Sequence, residues 1–147
     1  MSMSDYPIWW DTSITIYNRY EDSDHVVTWY KTVIENCFWK EVGANLMIGD
    51  TSIDSDSIIC RIPKDDRYLP KHEWDSLEDK SGKFTIGKED IIVRGEVDDN
   101  VNEYEVGHRS NDLLDKYKDL QGCLIIDKMT IDIGVGRNNE HYKIIGT

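Results

Sequence analysis

The chain has 147 residues and a mass of 17.1 kDa, the size of one domain that can bury its own hydrophobic core. Its 29 acidic residues outnumber 17 Lys and Arg, and the net charge of −12 argues against a general binder of nucleic acid or of anionic membranes, which are bound through Lys and Arg. A content of 5 Trp, 8 Tyr and 2 Phe is too high for a disordered acidic segment. The composition therefore predicts a folded acidic domain.

The beginning of the chain has neither the basic nor the apolar region of an export signal, and no run of 18 apolar residues occurs. We therefore expect synthesis in a cytoplasm and no membrane association. Cys37, Cys60 and Cys123 are odd in number, widely spaced and set in apolar stretches. This pattern predicts reduced, buried cysteines.

Alternation of apolar and polar residues predicts the first strands. Residues 13–17 and 26–33 are rich in β-branched and aromatic side chains and are separated by a polar turn. A third run, residues 34–42, follows with almost no turn signal, which indicates a bulged corner near its start instead of a tight hairpin. Residues 1–12 are interpreted as an N-terminal arm.

Two polar insertions interrupt the middle of the chain. Residues 43–56 are rich in Gly, Ser and Asp and are predicted to form an exposed loop, and residues 64–83 form a second excursion. A strand that Pro63 ends lies between them, at residues 57–62. Residues 84–86 and 91–97 are predicted to form a short and a longer strand on either side of a turn.

The helical periodicity of Leu113, Leu114, Tyr117 and Leu120 predicts one short α-helix near residues 110–120. The two alternating runs that follow, 123–133 and 141–145, predict a terminal hairpin. The fold is therefore expected to be mainly β: a small antiparallel β-barrel or sandwich of six to seven strands in a single domain over residues 13–147.

The sequence contains no arrangement typical of catalysis or metal binding. Gly134 and Gly136 lie between two strands, whereas a phosphate-binding glycine loop joins a strand to a helix. Asp50, Asp54 and Asp56 lack the ligand spacing of a calcium loop, and the four His lack that of a zinc site. We therefore expect a non-enzymatic protein without cofactor or metal; an enzyme would show a concave pocket with perturbed titrating groups.

Aromatic residues are the most informative feature, and they admit two interpretations. Trp9, Trp10, Tyr68 and Trp74 are candidates for anchors at a protein interface. Packing in the core and at its corners is the other interpretation. Trp9 and Trp10 are the better interface candidates because they belong to the N-terminal arm.

Three segments carry a resemblance to a known family. Ile14-Thr15-Ile16-Tyr17, the Trp29 strand and Cys37-Phe38-Trp39-Lys40 follow one another as in the opening of tailed-bacteriophage head-closure (stopper) proteins. Residues 84–97 resemble a segment of prophage structural proteins, and the terminal hairpin resembles the usual ending of the family.

The insertions at 43–56 and 64–83 and the helix at 110–120 depart from short family members. They leave open whether the chain is a stopper, a portal adaptor or a tail-completion protein.

The resemblance implies a structural role in the virion neck. Family members form a ring of six copies, or of twelve, beneath the portal or adaptor, close the head after packaging, and offer a docking surface to the tail terminator or tail tube protein. Packaged DNA passes through the lumen without specific binding. We assign Asp50, Asp54 and Asp56 to the lumen-facing loop, where carboxylates repel DNA phosphates, and expect open barrel edge strands to form ring contacts.

An alternative from another class is a small acidic protein that mimics DNA and inhibits a host DNA-processing enzyme. The charge permits this function. Mimics, however, concentrate carboxylates on one face, whereas Lys and Arg are interleaved through residues 61–94.

Overall fold

The computed structural model describes residues 9–41, 47–48, 51–52, 57–132 and 140–147. These residues contain the following elements: β1 (Thr12–Glu21), β2 (Val27–Glu41), β3 (Met47–Ile48), β4 (Thr51–Ser52), β5 (Ile58–Pro63), α1 (Lys71–Asp75), β6 (Ile91–Arg94), α2 (Ser110–Tyr117), β7 (Cys123–Asp132) and β8 (His141–Gly146). Six strands close into an antiparallel barrel in the order β1-β2-β5-β8-β7-β6, with β6 returning to β1. The prediction of a small, mainly β barrel is confirmed.

The second and third predicted strands are one strand with a bulge. Ile14 pairs with Ile34, and Thr12 pairs with Cys37. The two pairs are two residues apart on β1 but three residues apart on β2, so β2 contains one extra residue at Glu35-Asn36. Asn36 adopts a positive φ of 60°. Residues 27–34 and Cys37 of β2 pair with β1, and residues 38–41 pair with β5. The predicted corner is thus confirmed, although the chain does not break there.

The barrel interior is filled by side chains from every barrel strand. Its buried apolar cluster consists of Ile14, Ile16, Ile34, Cys37, Ile58, Cys60, Ile62, Phe84, Ile86, Ile92, Leu124, Ile126, Tyr142 and Ile144. All three cysteines are buried and free, as predicted. Burial raises the pKa of the Cys60 thiol well above its ordinary value, so Cys60 behaves as a small apolar residue.

A second apolar cluster covers the outside of β1 and β6. Because side chains alternate along a strand, Tyr17 and Val93 point away from the interior that Ile16 and Ile92 fill. Leu113 and Tyr117 of α2 pack over them. These two strands are therefore buried on both faces.

The predicted helix is present but ends three residues early. It stops at Tyr117, and Leu120, expected on its apolar face, is 71% exposed. Gly122 lies beyond the end with a φ of 93°, a conformation that glycine adopts without strain. No helix among the described residues is long and apolar enough to cross a membrane.

Two further sequence predictions need correction. Residues 84–86 do not form a strand; Phe84 makes only an isolated parallel bridge to Tyr68. The strand expected over 91–97 ends at Arg94, because Gly95 turns the chain with a φ of 96° and donates its N–H to Ser13 O. The short helix α1, within the excursion 64–83, was not predicted.

The terminal hairpin returns the chain to the barrel as predicted. Ile125 and Thr147 exchange both backbone hydrogen bonds, and β8 also pairs with β5. Between these partners lies Gly146, where an added Cβ would stand 2.3 Å from Ile125 O and 2.8 Å from Leu124 Cδ1. Only glycine fits this close approach of two strands.

We predict that Gly146→Ala lowers the free energy of unfolding by about 1–3 kcal/mol, since the Cβ forces the strands apart. Chemical denaturation measures the change. Thr147→Ala is the control, because it alters an exposed neighbour and keeps its backbone pairing. Equal stability of the two variants would contradict the packing argument.

Candidate functional site

A buried carboxylate secures the edge of β1 beyond its pairing with β6. Asp90 is 2% exposed and accepts hydrogen bonds from Arg19 N–H (3.0 Å), Asn18 Nδ2 (2.9 Å) and Gly87 N–H (3.0 Å). On the same edge, Lys71 Nζ donates to Arg19 O at 3.0 Å. The pairing of β1 with β6 ends at Tyr17, and beyond it the side chains of Asp90 and Lys71 form hydrogen bonds with the backbone N–H and C=O of Arg19.

Burial raises the pKa of Asp90. The hydrogen bonds from Arg19, Asn18 and Gly87 and the charge of Lys71 oppose this effect without overcoming it. The same Asn18 side chain also binds the 84–87 segment, donating to Thr85 O at 2.6 Å and accepting from Thr85 N–H at 3.2 Å. This network holds a segment without regular structure against the barrel.

A second polar network joins α2 to the outside of β1. Tyr17 Oη donates to Asp99 O at 2.7 Å, and the Asp99 carboxylate accepts from Tyr117 Oη and from Lys116 Nζ (2.7 Å). Burial alone would raise the pKa of Asp99, but the bonds from Lys116 and Tyr117 outweigh it and the pKa is lowered. Asp99 is thereby held as a carboxylate at neutral pH.

Two grooves flank the first half of β2. One, of about 720 Å³, lies between Val26 to Trp29 and residues 98–108. Tyr104, 62% exposed, stands in it and accepts a hydrogen bond from Val27 N–H at 2.9 Å. The other groove, of about 620 Å³, begins at Val33 and is lined by the following residues: Glu35, Asn36, Pro63, Lys64, Asp65, Arg67 and Glu96.

Each groove has three acidic residues in its wall. The acidic residues are Asp98, Asp99 and Glu105 in the first groove and Glu35, Asp65 and Glu96 in the second. Arg67 is held by Asp65 at 2.8 Å, and Lys64 lies 3.9 Å from Glu140. In the described part of the chain, Glu35, Glu96 and Asp98 form no ion pair, so the grooves carry unneutralised negative charge.

The four aromatic residues singled out in the sequence fall into different environments. Trp9 is 66% exposed, whereas Trp10 is buried, with its ring centroid 5.0 Å from that of His141. Tyr68 is half-buried, with its ring centroid 4.4 Å from that of Tyr142. Trp74 is fully buried. The core interpretation applies to Trp10 and Trp74, and Trp9 is the one of the four with a largely exposed ring.

Trp74 is buried because the 64–83 excursion folds onto the β1-β2 hairpin. Its ring makes T-shaped contacts with Tyr20 and Tyr30, with centroids 6.1 and 5.6 Å apart. The buried Lys80 places Nζ 4.0 Å from the Tyr20 ring centroid and donates to Leu77 O at 2.7 Å. The aromatic surface that suggested an interface is thus covered by the chain's own lysine.

Most of the predicted acidic loop, residues 43–56, lies outside the described residues. Asp50, Asp54 and Asp56 are not among the described residues, so their assignment to a lumen stays a prediction. Nearby, Met47–Ile48 and Thr51–Ser52 pair antiparallel as a separate two-stranded sheet. Within the described ranges, no group of three or more His, Cys, Asp or Glu side chains is placed to hold a metal ion.

Sequence reasoning missed Asp90 and Asp99. Asp90 follows the turn Gly87-Lys88-Glu89 and precedes an apolar strand, a context that favours an acceptor for turn amides. No comparable signal marks Asp99, because its partners Tyr17 and Lys116 are distant in sequence. The two grooves also depend on contacts between distant segments.

Comparison with known proteins gave one result. A family model described as a family of unknown function (DUF6751) matches residues 9–147. No curated protein and no solved structure matches the chain.

We predict that Asp90→Asn lowers the free energy of unfolding by about 1–3 kcal/mol, because its amide group would face the donors of Asn18 and Gly87. Exposed Asp115→Asn is the control. The raised pKa of Asp90 means that its stabilising contribution is complete below the ordinary aspartate pKa and is lost as pH rises through the raised value. Urea denaturation at several pH values should therefore show the wild-type advantage shrinking as pH rises; an advantage that grows would refute this assignment.

Proposed function

Since the chain belongs to DUF6751, a family of unknown function, we propose its role from its own sequence and fold. It is a non-enzymatic structural component of a phage neck, a stopper-like protein that forms a ring beneath the portal. The ring closes the filled head, retains the packaged DNA and provides the docking surface for the tail. Its place is the neck of the virion.

The arrangement of the resembling segments carries this proposal. The Ile14 to Tyr17 and Trp29 segments are neighbouring strands of the closed barrel, and β2 continues through Cys37-Phe38-Trp39 to the next barrel strand, β5. The terminal hairpin pairs back into the same barrel. The segments that resemble head-closure proteins are therefore adjacent parts of one barrel wall.

Net charge supports passage of DNA without binding. With −12 per copy, a ring of six copies places carboxylates around a channel, and DNA phosphates gain no ion pairs there. Asp50, Asp54 and Asp56 belong to the insertion between β2 and β5, and we propose that this insertion reaches the lumen. Retention is then steric, and the duplex is free to slide when ejection begins.

Ring contacts need a surface other than the closed part of the barrel. An open sheet has two edge strands, whereas β1 pairs with β2 on one side and with β6 on the other. The paired part of β1 is therefore not available for strand pairing with a neighbouring copy. The exposed Trp9 indole, directly before β1, is an anchor suited to a heterologous contact between neighbouring copies.

We predict that the purified protein enters a ring of six or twelve copies when it is mixed with portal-bearing heads that lack tails. Trp9→Ala should lose this incorporation and keep its stability within about 0.5 kcal/mol, since exposed side chains contribute little to folding. Sedimentation of the protein alone and with heads measures assembly, and denaturation measures stability.

Exposed Leu120→Ala is the matched control, because it also removes an exposed apolar side chain from another surface. A protein that stays monomeric in every mixture would overturn the neck proposal. Capture of a purified DNA-processing enzyme in a salt-dependent way would favour the DNA-mimic function instead.

The lumen assignment has a separate test. Changing Asp50, Asp54 and Asp56 together to Lys should leave ring formation intact but slow DNA release from assembled particles, since Lys neutralises phosphates. The same reversal at three exposed residues, Glu73, Glu78 and Asp119, is the control with equal net charge. Equal release rates for the two triple variants would place the loop away from DNA.

A further inference from the structure

The first half of β2 has a sealed side and an open side. Residues of a strand point their N–H and C=O groups alternately to its two sides. Val27 N–H donates to Tyr104 Oη, and Val33 O accepts from Arg67 Nη1, and both bonds lie away from β1. The odd-numbered residues of this stretch therefore direct their backbone groups outward, and the even-numbered ones pair with β1.

The middle of the outward side is unpaired. Neither Trp29 nor Lys31 has a backbone hydrogen bond on this side to any of the residues that the structure describes. Arg19 of β1 lies opposite Trp29, and its outward N–H and C=O form hydrogen bonds with the side chains of Asp90 and Lys71. Among the described residues, one edge of the β1-β2 hairpin is thus covered and the middle of the other is open.

The open edge runs from one acidic groove to the other. It extends over Val27 to Val33, roughly 20 Å at the rise of a strand, and its two ends are the walls of the grooves described above. Asp98, Glu35 and Glu96 are exposed there and form no ion pair among the described residues. Lys64 and Arg67 of the second groove are paired with Glu140 and Asp65, and Lys31 Nζ donates to Asp98 O, so the unpaired carboxylates at both ends are complementary to a cationic segment.

We propose that this edge binds an extended, basic segment of a partner protein by β-strand addition. The Trp29 and Lys31 backbone groups supply the hydrogen bonds, and the carboxylates at both ends select Lys and Arg on the incoming strand. The same carboxylates disfavour an acidic strand at this edge. This inference goes beyond the neck function and rests on the strand edge and on the carboxylates at its ends.

The test uses the full chain labelled with ¹⁵N and a capped seven-residue peptide in which Lys alternates with Val. The amide signals of Trp29 and Lys31 should shift saturably, while those of Tyr30 and Thr32, which pair with β1, should not. A peptide in which Glu replaces Lys, and a Lys-Val peptide methylated on alternate backbone nitrogens, should each bind at least about tenfold more weakly.

Lys31→Pro is the variant that blocks the edge. It removes an outward N–H that takes no part in internal pairing, so it should weaken peptide binding at least about tenfold without unfolding the barrel. Lys31→Thr is the matched control; it loses the same Nζ bond to Asp98 O (2.8 Å) but keeps the N–H, and its affinity should stay within about threefold of the wild type.

Several outcomes would overturn the proposal. Absence of any shift up to the solubility limit of the peptide, equal shifts at Tyr30 and Thr32, or equal binding of the methylated peptide would exclude strand addition. Shifts of Trp29 and Lys31 that depend on protein concentration without peptide would assign the edge to a second copy. If Lys31→Pro fails to fold, the methylated peptide on the wild-type protein decides the question.

Discussion

The bulge at Glu35-Asn36 is the constraint on which the barrel depends. An extra residue increases the local twist and redirects a strand, and here it lies where the pairing of β2 with β1 ends and its pairing with β5, on the other side of the strand, begins. Because β2 pairs with both β1 and β5, it closes the sheet that β6, β7 and β8 complete on the other side. The positive φ of Asn36 is consistent with this local geometry, because Asn tolerates the left-handed region better than most residues. The interior apolar cluster follows from the closure.

In the described ranges, the first half of β2 pairs with β1 alone, because β5 pairs only with residues 38–41. β1 has an equivalent exposed stretch beyond β6, and there the protein uses Asp90 and Lys71 to satisfy Arg19. On β2, the side chains that the structure describes reach only the two ends, through Tyr104 and Arg67. This asymmetry is what makes the edge a candidate interaction surface, since unpaired strand edges are otherwise a risk for aggregation.

Features that arise within one strand or helix are predictable from the sequence, and features that depend on contacts between distant segments are not. Period-2 alternation located β1, β2, β5 and the terminal hairpin, and the leucine spacing located α2, because these patterns arise within single elements. Residues 84–86 read as a strand for the same reason, yet only Phe84 found a partner, since the chain there is held by Asn18 and not by a neighbouring strand. Trp74 looked like a surface anchor because its polar surroundings hid the fold of the 64–83 excursion onto Tyr20 and Tyr30.

By itself, the sequence determined the acidic character of the protein, its mainly β class, its bulged corner and its buried cysteines. These properties depend on composition or on neighbours within a few residues, and they do not require knowledge of which strands meet. Only the tertiary structure decided that the sheet closes as a barrel, that Trp10 is buried while Trp9 is exposed, and that Asp90 and Asp99 are held in networks. Each of these depends on contacts between segments far apart in the chain, where burial and hydrogen-bond geometry are set by the partner and not by the local pattern.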